Sequence, residues 1–251
     1  MTFQVFSAAN EQMTSDLAMG DRRHGFDRRP DPMTTHRHAP HPGFDTTGTP
    51  QEVWNKRYGT EHIWSGNANA VLVRMVSDFP AGRALDLGCG EGGDSVWLAA
   101  RGWRVTGVDV ADVALDRARE LAAELDVSDR ITFERHDLAE SFPDGAFDLI
   151  SAQFFHSPLE FPRARILRTA AEALAPGGVL LVVDHGAAPP WARDLPEDVR
   201  FPSAQEVVDE LDLDESRWRA ERIESAEREA VGPSGETGML LDNIVLIRRV
   251  G

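Results

Sequence analysis

The residues with the most to say about chemistry lie in one stretch, Ala84-Leu85-Asp86-Leu87-Gly88-Cys89-Gly90-Glu91-Gly92-Gly93-Asp94. An apolar strand enters a turn that lacks Cβ atoms at alternate positions, and a helical segment follows. A ligand can then approach the backbone closely and meet the helix N-terminus. Gly88 to Gly93 also satisfies the GxGxxG pattern of dinucleotide folds. The turn alone therefore leaves several nucleotide cofactors, and plain chain reversal, open.

Three acids narrow the choice. Asp86 precedes the first glycine by two residues, where a carboxylate would repel a pyrophosphate but suit an amino group or a sulfonium. Asp109 ends the next apolar run, and a carboxylate at that strand tip can accept hydrogen bonds from both ribose hydroxyls. Asp137 follows a third run, in His136-Asp137-Leu138, with an acceptor for an adenine amino group and Leu138 to pack on the ring. Each acid singly could cap a helix or sit in a solvated turn. Three at successive strand tips of one sheet edge point to an adenosyl ligand with a cationic end.

Candidate bases also fall at strand ends. His156 follows the fourth apolar run, and Asp184 with His185 follow the fifth, where open α/β sheets place their ligands. Histidine titrates in the range a base needs. Packing beside a cofactor, or bonding a loop carbonyl, is the alternative role for each. The acceptor pocket is expected from the segment around Tyr58 and Trp64, from Phe154 to Phe161, and from the loop Gly186 to Phe201.

The elements that must hold these residues alternate. Strands are predicted at 83–87, 104–108, 131–135, 147–151 and 179–183, with helices at 93–101, 111–125 and 163–174. Pro176-Gly177-Gly178 is read as the stop of the third helix. Such alternation means crossovers and a parallel sheet. Ser203 and Glu206 have capping-box spacing for a further helix. Trp218 to Ala230, a turn rich in glycine, and Asn243 to Val250 read as an antiparallel strand pair at a sheet edge.

Composition sets the remaining bounds. The chain has 251 residues and a formal net charge of −16, a field that disfavours nucleic acid as a partner. The longest apolar runs have strand length, so no membrane span is expected, and the first residues do not read as a signal peptide; a cytoplasmic enzyme or binding domain is expected. Cys89 is the only cysteine, which excludes an internal disulfide and a multi-cysteine zinc site. Residues 1–46, rich in Gly, Pro, Arg and Asp without apolar period, are expected to be a disordered tail. Met33 is a candidate true start, and His24, His36, His38 and His41 are read as solvated, not as a metal site.

Residues 50 to 251 resemble a class I S-adenosylmethionine-dependent methyltransferase. The glycine turn matches as Leu85-Asp86-Leu87-Gly88-Cys89-Gly90-Glu91-Gly92, the second- and third-strand acids as Asp109 and Asp137. Phe147-Asp148-Leu149-Ile150 matches the fourth-strand signature, and Leu174-Ala175-Pro176-Gly177-Gly178 the segment before strand five. Trp54-Asn55-Lys56-Arg57-Tyr58 and Trp64-Ser65-Gly66-Asn67 resemble the N-terminal cap of the small-molecule branch that includes thiopurine and tellurite-resistance enzymes. The resemblance implies an α/β, Rossmann-like, seven-stranded and mostly parallel sheet with a reversed final strand and helices on both faces. It implies one domain over 47–251 with a cap at 47–75, and S-adenosylmethionine as cofactor without a metal. Trp64, Asp86, Gly88, Cys89, Gly90, Asp109, Val110, Asp137, Leu138 and Gln153 are the cofactor-binding residues it implies, with His156 and His185 as catalytic candidates. After strand four, Ser151 to Pro158 lacks the Asn/Asp-Pro-Pro-Tyr/Phe motif of base- and amide-methylating enzymes. A small-molecule acceptor is therefore expected, with sulfur or a heavier chalcogen slightly ahead of oxygen or nitrogen. A nicotinamide oxidoreductase and a cofactor-binding protein without turnover are the alternatives.

Overall fold

Thr49 opens the first described helix with a reciprocal cap. Its side chain accepts from the Glu52 N–H while Glu52 reaches back to the Thr49 N–H, and Pro50 takes the first helical position of α1, Pro50–Tyr58. The computed structural model describes residues 45–192, 200–232 and 235–251. The expected tail up to residue 44, with Met33 and its four histidines, lies outside the described residues. A second short helix, α2 (Ala70–Val76), leads into the alternating region.

That region runs β1 (Arg83–Leu87), α3 (Gly93–Ala100), β2 (Arg104–Asp109), α4 (Asp112–Glu124), β3 (Ile131–Arg135), β4 (Phe147–Gln153), α5 (Arg163–Glu172) and β5 (Leu174–His185). Helix α6 (Ala204–Leu211), with the Ser203–Glu206 capping box formed, precedes β6 (Trp218–Val231) and β7 (Thr237–Arg249). One seven-stranded sheet results, in the order β3-β2-β1-β4-β5-β7-β6. The pairs up to β4–β5 are parallel, and β7 runs antiparallel to both β5 and β6.

Period-two alternation divides the core into two layers. Leu180 and Val182 of β5, with Val245 and Ile247 of β7, pack under Ile166, Leu167 and Ala170 of α5 and Val207 of α6. Val179, Leu181 and Val183, with Ile244 and Leu246, face α2 and α3 through Leu72, Val96 and Leu98. Both faces are thus covered, as a parallel sheet requires. A smaller cluster of Tyr58, Ile63, Ala111 and Ala114, with Trp54 and Trp64 against it, docks the N-terminal segment on α4.

Two expectations need correction. Pro176-Gly177-Gly178 does not stop a helix: α5 ends at Glu172, and these residues lie inside β5. Leu174 pairs with Phe147 and Val179 with Leu149, so the three form the irregularity where the register shifts. A Cβ on Gly178 would stand 2.7 Å from the Phe147 carbonyl oxygen, which is why glycine is needed there. The last strand begins at Thr237, six residues before the expected Asn243, because β6 pairs along its whole length and carries β7 with it.

Candidate active site

The sheet order changes direction between β1 and β4, and the C-terminal tips of those strands define the cleft where open α/β sheets bind ligands. The glycine turn after β1 is left-handed at Gly88 (φ +64°), Gly90 (+53°) and Gly92 (+86°). Two different parts of the chain fill the space that side chains on Gly88, Gly90 and Gly93 would take. A Cβ at Gly88 would lie 2.9 Å from the Phe155 ring, one at Gly90 would lie 3.1 Å from the Tyr58 hydroxyl and 3.3 Å from Trp64 Nε1, and one at Gly93 would lie 2.7 Å from the Asn67 carbonyl. The N-terminal segment and the end of β4 therefore both close on the turn.

Two of the three expected acids are built into this turn. Asp86 is buried and accepts a 2.6 Å hydrogen bond from Ser95 Oγ of α3. Asp109, also buried, accepts from the Gly90 N–H at 3.0 Å and the Ala111 N–H at 2.9 Å. Burial pushes the Asp109 carboxyl up to about 6, against those backbone hydrogen bonds. Burial, and then the neighbouring Asp94 charge, push Asp86 well above the carboxylate range. A cluster of acids with little to neutralise it is primed for a cationic group. Burial likewise holds the Cys89 thiol and the Tyr58 phenol well above their ordinary values, so both stay neutral.

Asp137 differs from that pair. It is half-buried, and its Oδ1 accepts from the Ala139 N–H at 3.0 Å, capping its own turn. Leu138 beside it and Val110 after β2 are half-buried, Leu138 against the α5-side core. Gln153 ends β4 and donates to Ser151 Oγ at 3.0 Å, while its buried Oε1 has no partner among the described residues. Trp64 is half-buried beside Tyr58 and Gly90.

The two histidines make different contacts. His156 Nε2 lies 3.0 Å from Asp184 Oδ1, and Arg163 holds the other carboxylate oxygen at 2.5 Å. Arg163 Nε also donates to the Phe155 carbonyl at 2.9 Å. Burial opposes ionisation of Asp184, but Arg163 and His156 together outweigh it and hold the carboxyl below its ordinary range. His185 instead stacks on Phe154, ring centroids 4.3 Å apart. Phe154 itself is left-handed at φ +49°, and its strained turn sends Phe155 toward Gly88 and His156 toward β5. Arg163 is a site residue that sequence reading missed, since nothing in a helix N-terminus signals a partner 21 residues away. Pro190 and Trp191 pack on Gly238, and Trp191 on Gly232, at the β6–β7 hairpin.

The Gly88 contact yields a direct test. Gly88→Ala combines a left-handed backbone with a Cβ inside the van der Waals distance of a buried ring, and should cost about 2–4 kcal/mol. Gly177→Ala shares the left-handed backbone (φ +82°) but meets nothing within 4 Å, and isolates the backbone cost. Thermal unfolding should place Gly88→Ala well below Gly177→Ala; equal melting temperatures would mean that Phe155 does not press on the turn.

Residues 84–178 match the family described as "Methyltransferase domain". The chain is 33% identical over 182 residues to the 2-heptyl-1-hydroxyquinolin-4(1H)-one methyltransferase of Mycobacteroides abscessus, covering 70% of this chain and 76% of that enzyme. It is 31% identical over 191 residues to thiocyanate methyltransferase 1 of Arabidopsis thaliana, covering 66% of this chain and 84% of the relative. A solved structure reported with the conversion of a disulfide bond into a thioacetal group during echinomycin biosynthesis superposes with a TM-score of 0.61 at 25% identity, over 79% of this chain and 92% of that one. The reversed β7, and Asp86 near the tip of β1 where a pyrophosphate would be repelled, set the molecule apart from nicotinamide folds, and with relatives aligned over most of their length the chain belongs to the class I S-adenosylmethionine-dependent methyltransferases.

Proposed function

We propose that the enzyme methylates a small, neutral, partly apolar acceptor whose nucleophilic atom arrives carrying a proton, a thiol or heavier chalcogen ahead of a hydroxyl. The observation that carries this reading is the His156–Asp184 contact at the tips of β4 and β5. A base oriented by a buried carboxylate serves an acceptor that must lose a proton and is idle for one that arrives as an anion. Arg163, which could have drawn an anion, is committed to Asp184 and the Phe155 carbonyl. The order of sulfur before oxygen is supported by the sulfur chemistry named for the structural neighbour.

The cofactor supplies an activated methyl group and a good leaving group, so placement of the acceptor carries most of the rate. The residues present suit it. The Asp109 carboxylate, whose oxygens each keep acceptor capacity, would take the ribose hydroxyls. Asp86 and the unpartnered Gln153 Oε1 face a need for donors that an ammonium group meets. Gly88, Cys89 and Gly90 would let the nucleoside lie against backbone, with Val110, Leu138 and Trp64 as apolar walls and Asp137 at the adenine edge. His156 would accept the acceptor's proton, Asp184 would hold the imidazole, and His185 on Phe154 would form part of the acceptor wall.

Mass spectrometry of products from a panel of aryl and alkyl thiols, phenols, N-hydroxy heteroaromatics, amines and thiocyanate tests this. Methylated thiols, with hydroxyl products second and thiocyanate unreacted, are expected. Turnover of thiocyanate or amines alone would overturn the proposed acceptor class.

A further inference from the structure

We propose that the Glu91–Arg117 ion pair is a positioning device for the cofactor, fastening the segment 58–64 over the glycine turn; this rests on the reading that Trp64 and the turn line the cofactor site. Residues 59–69 form neither helix nor strand, so their backbone groups need partners from elsewhere. Glu91 and Arg117 provide them. Glu91 Oε1 accepts from the Ile63 N–H at 3.3 Å and Oε2 from the Trp64 N–H at 3.1 Å. Arg117, from the middle of α4, donates to the carbonyls of Glu61 at 2.7 Å, Gly59 at 2.9 Å and, more weakly, Tyr58 at 3.4 Å. The two close on each other at 2.6 Å, and His62 Nδ1 stands 3.5 Å from Glu91.

Their burial makes this more than a surface contact. The side chain of Glu91 is 3% exposed and that of Arg117 11%. A buried pair adds little net stability over a well-packed apolar replacement, so its value lies in the geometry it imposes. Here that geometry is the position of Tyr58 and Trp64 against Gly90. Glu91 sits in the turn itself, directly after Gly90. Strap and turn are therefore one unit, and the strap's order should follow the pair. The planar guanidinium fork, reaching three carbonyls and a carboxylate, is a task lysine cannot perform in full.

Three variants and one companion decide the matter: Arg117→Gln, Arg117→Lys, the double substitution Glu91→Gln with Arg117→Gln, and Trp64→Ala. The double variant leaves no uncompensated buried charge, so it keeps a foldable route where a single substitution fails. Hydrogen exchange of folded protein should be faster in 58–64 and unchanged in the sheet. Calorimetry with S-adenosylhomocysteine should give a Kd raised about tenfold to a hundredfold, the cost of a strap ordered only 1–10% of the time. Arg117→Lys should fall between these and wild type. Trp64→Ala should weaken binding with protection at Ile63 retained. Wild-type affinity in the double variant beside weakened Trp64→Ala overturns the pair's role alone. Wild-type affinity in every variant overturns both the pair's role and the placement of the strap in the cofactor site.

Discussion

His156→Ala should lower kcat by about 10²–10⁴ for a hydroxyl acceptor, the usual range for losing a general base, while affinity for S-adenosylhomocysteine stays within about twofold. The effect should shrink with a thiol and depend on pH. A thiol of ordinary pKa near 8.5 is a few per cent thiolate at pH 7. The variant then retains that fraction and loses no more than about thirtyfold at pH 7, recovering most of the rate near pH 9.5. A pH–rate profile of one variant thus reads both the base and the acceptor atom. Asp184→Asn should fall part of the way, because the amide no longer supports the imidazolium and Arg163 is left with a weaker partner. His185→Ala should change kcat little for either acceptor, since its ring is occupied in stacking on Phe154. Full activity of His156→Ala on a hydroxyl acceptor at pH 7 would remove His156 from the mechanism.

The parts of this arrangement legible in the sequence are those that repeat locally. The central strands β1, β4 and β5 announce themselves because both faces of a parallel sheet are covered, which demands near-continuous apolar runs such as Val179 to Val183. The glycine turn and the acids at the tips of β1 and β2 stand at short, regular offsets from those runs. What was hidden depends on registers and distant partners. Pro176-Gly177-Gly178 carries every local mark of a helix stop, yet the Leu174–Phe147 pairing extends the strand through it. Arg163 and Arg117 look like ordinary helix-surface arginines until the fold sets them against Asp184 and Glu91. Asp137 shows the converse. It lies two residues past β3 where Asp109 ends β2, and it is half-buried where Asp109 is buried.

The buried acids should make both stability and cofactor affinity depend on pH in a way that most carboxylates do not. Burial raises Asp109 from 3.8 to about 6 in the folded protein without ligand. Folded chains therefore bind more protons than unfolded ones between those values, so the stability from this group is complete below 3.8 and is lost as pH rises through about 6. The full difference is on the order of 3 kcal/mol, and roughly half of it falls between pH 5 and 7.5. Asp86 is raised too, and should act in the same direction. Asp184 is lowered by Arg163 and His156, so its contribution is lost only as pH falls toward the acid range, outside this window. A ligand that donates hydrogen bonds and carries an ammonium group needs these acids ionised, and so competes with protons. Binding of S-adenosylhomocysteine should be about tenfold weaker at pH 5 than at pH 7 for one such group, with proton release visible as buffer-dependent heat. The thermal shift from the ligand should grow over the same range while the ligand-free protein becomes less stable. Asp109→Asn, which cannot ionise, should flatten both curves and leave binding weak at every pH. A Kd constant from pH 5 to 7.5 in the wild type, with no proton release, would mean that neither Asp86 nor Asp109 meets the ligand as a carboxylate.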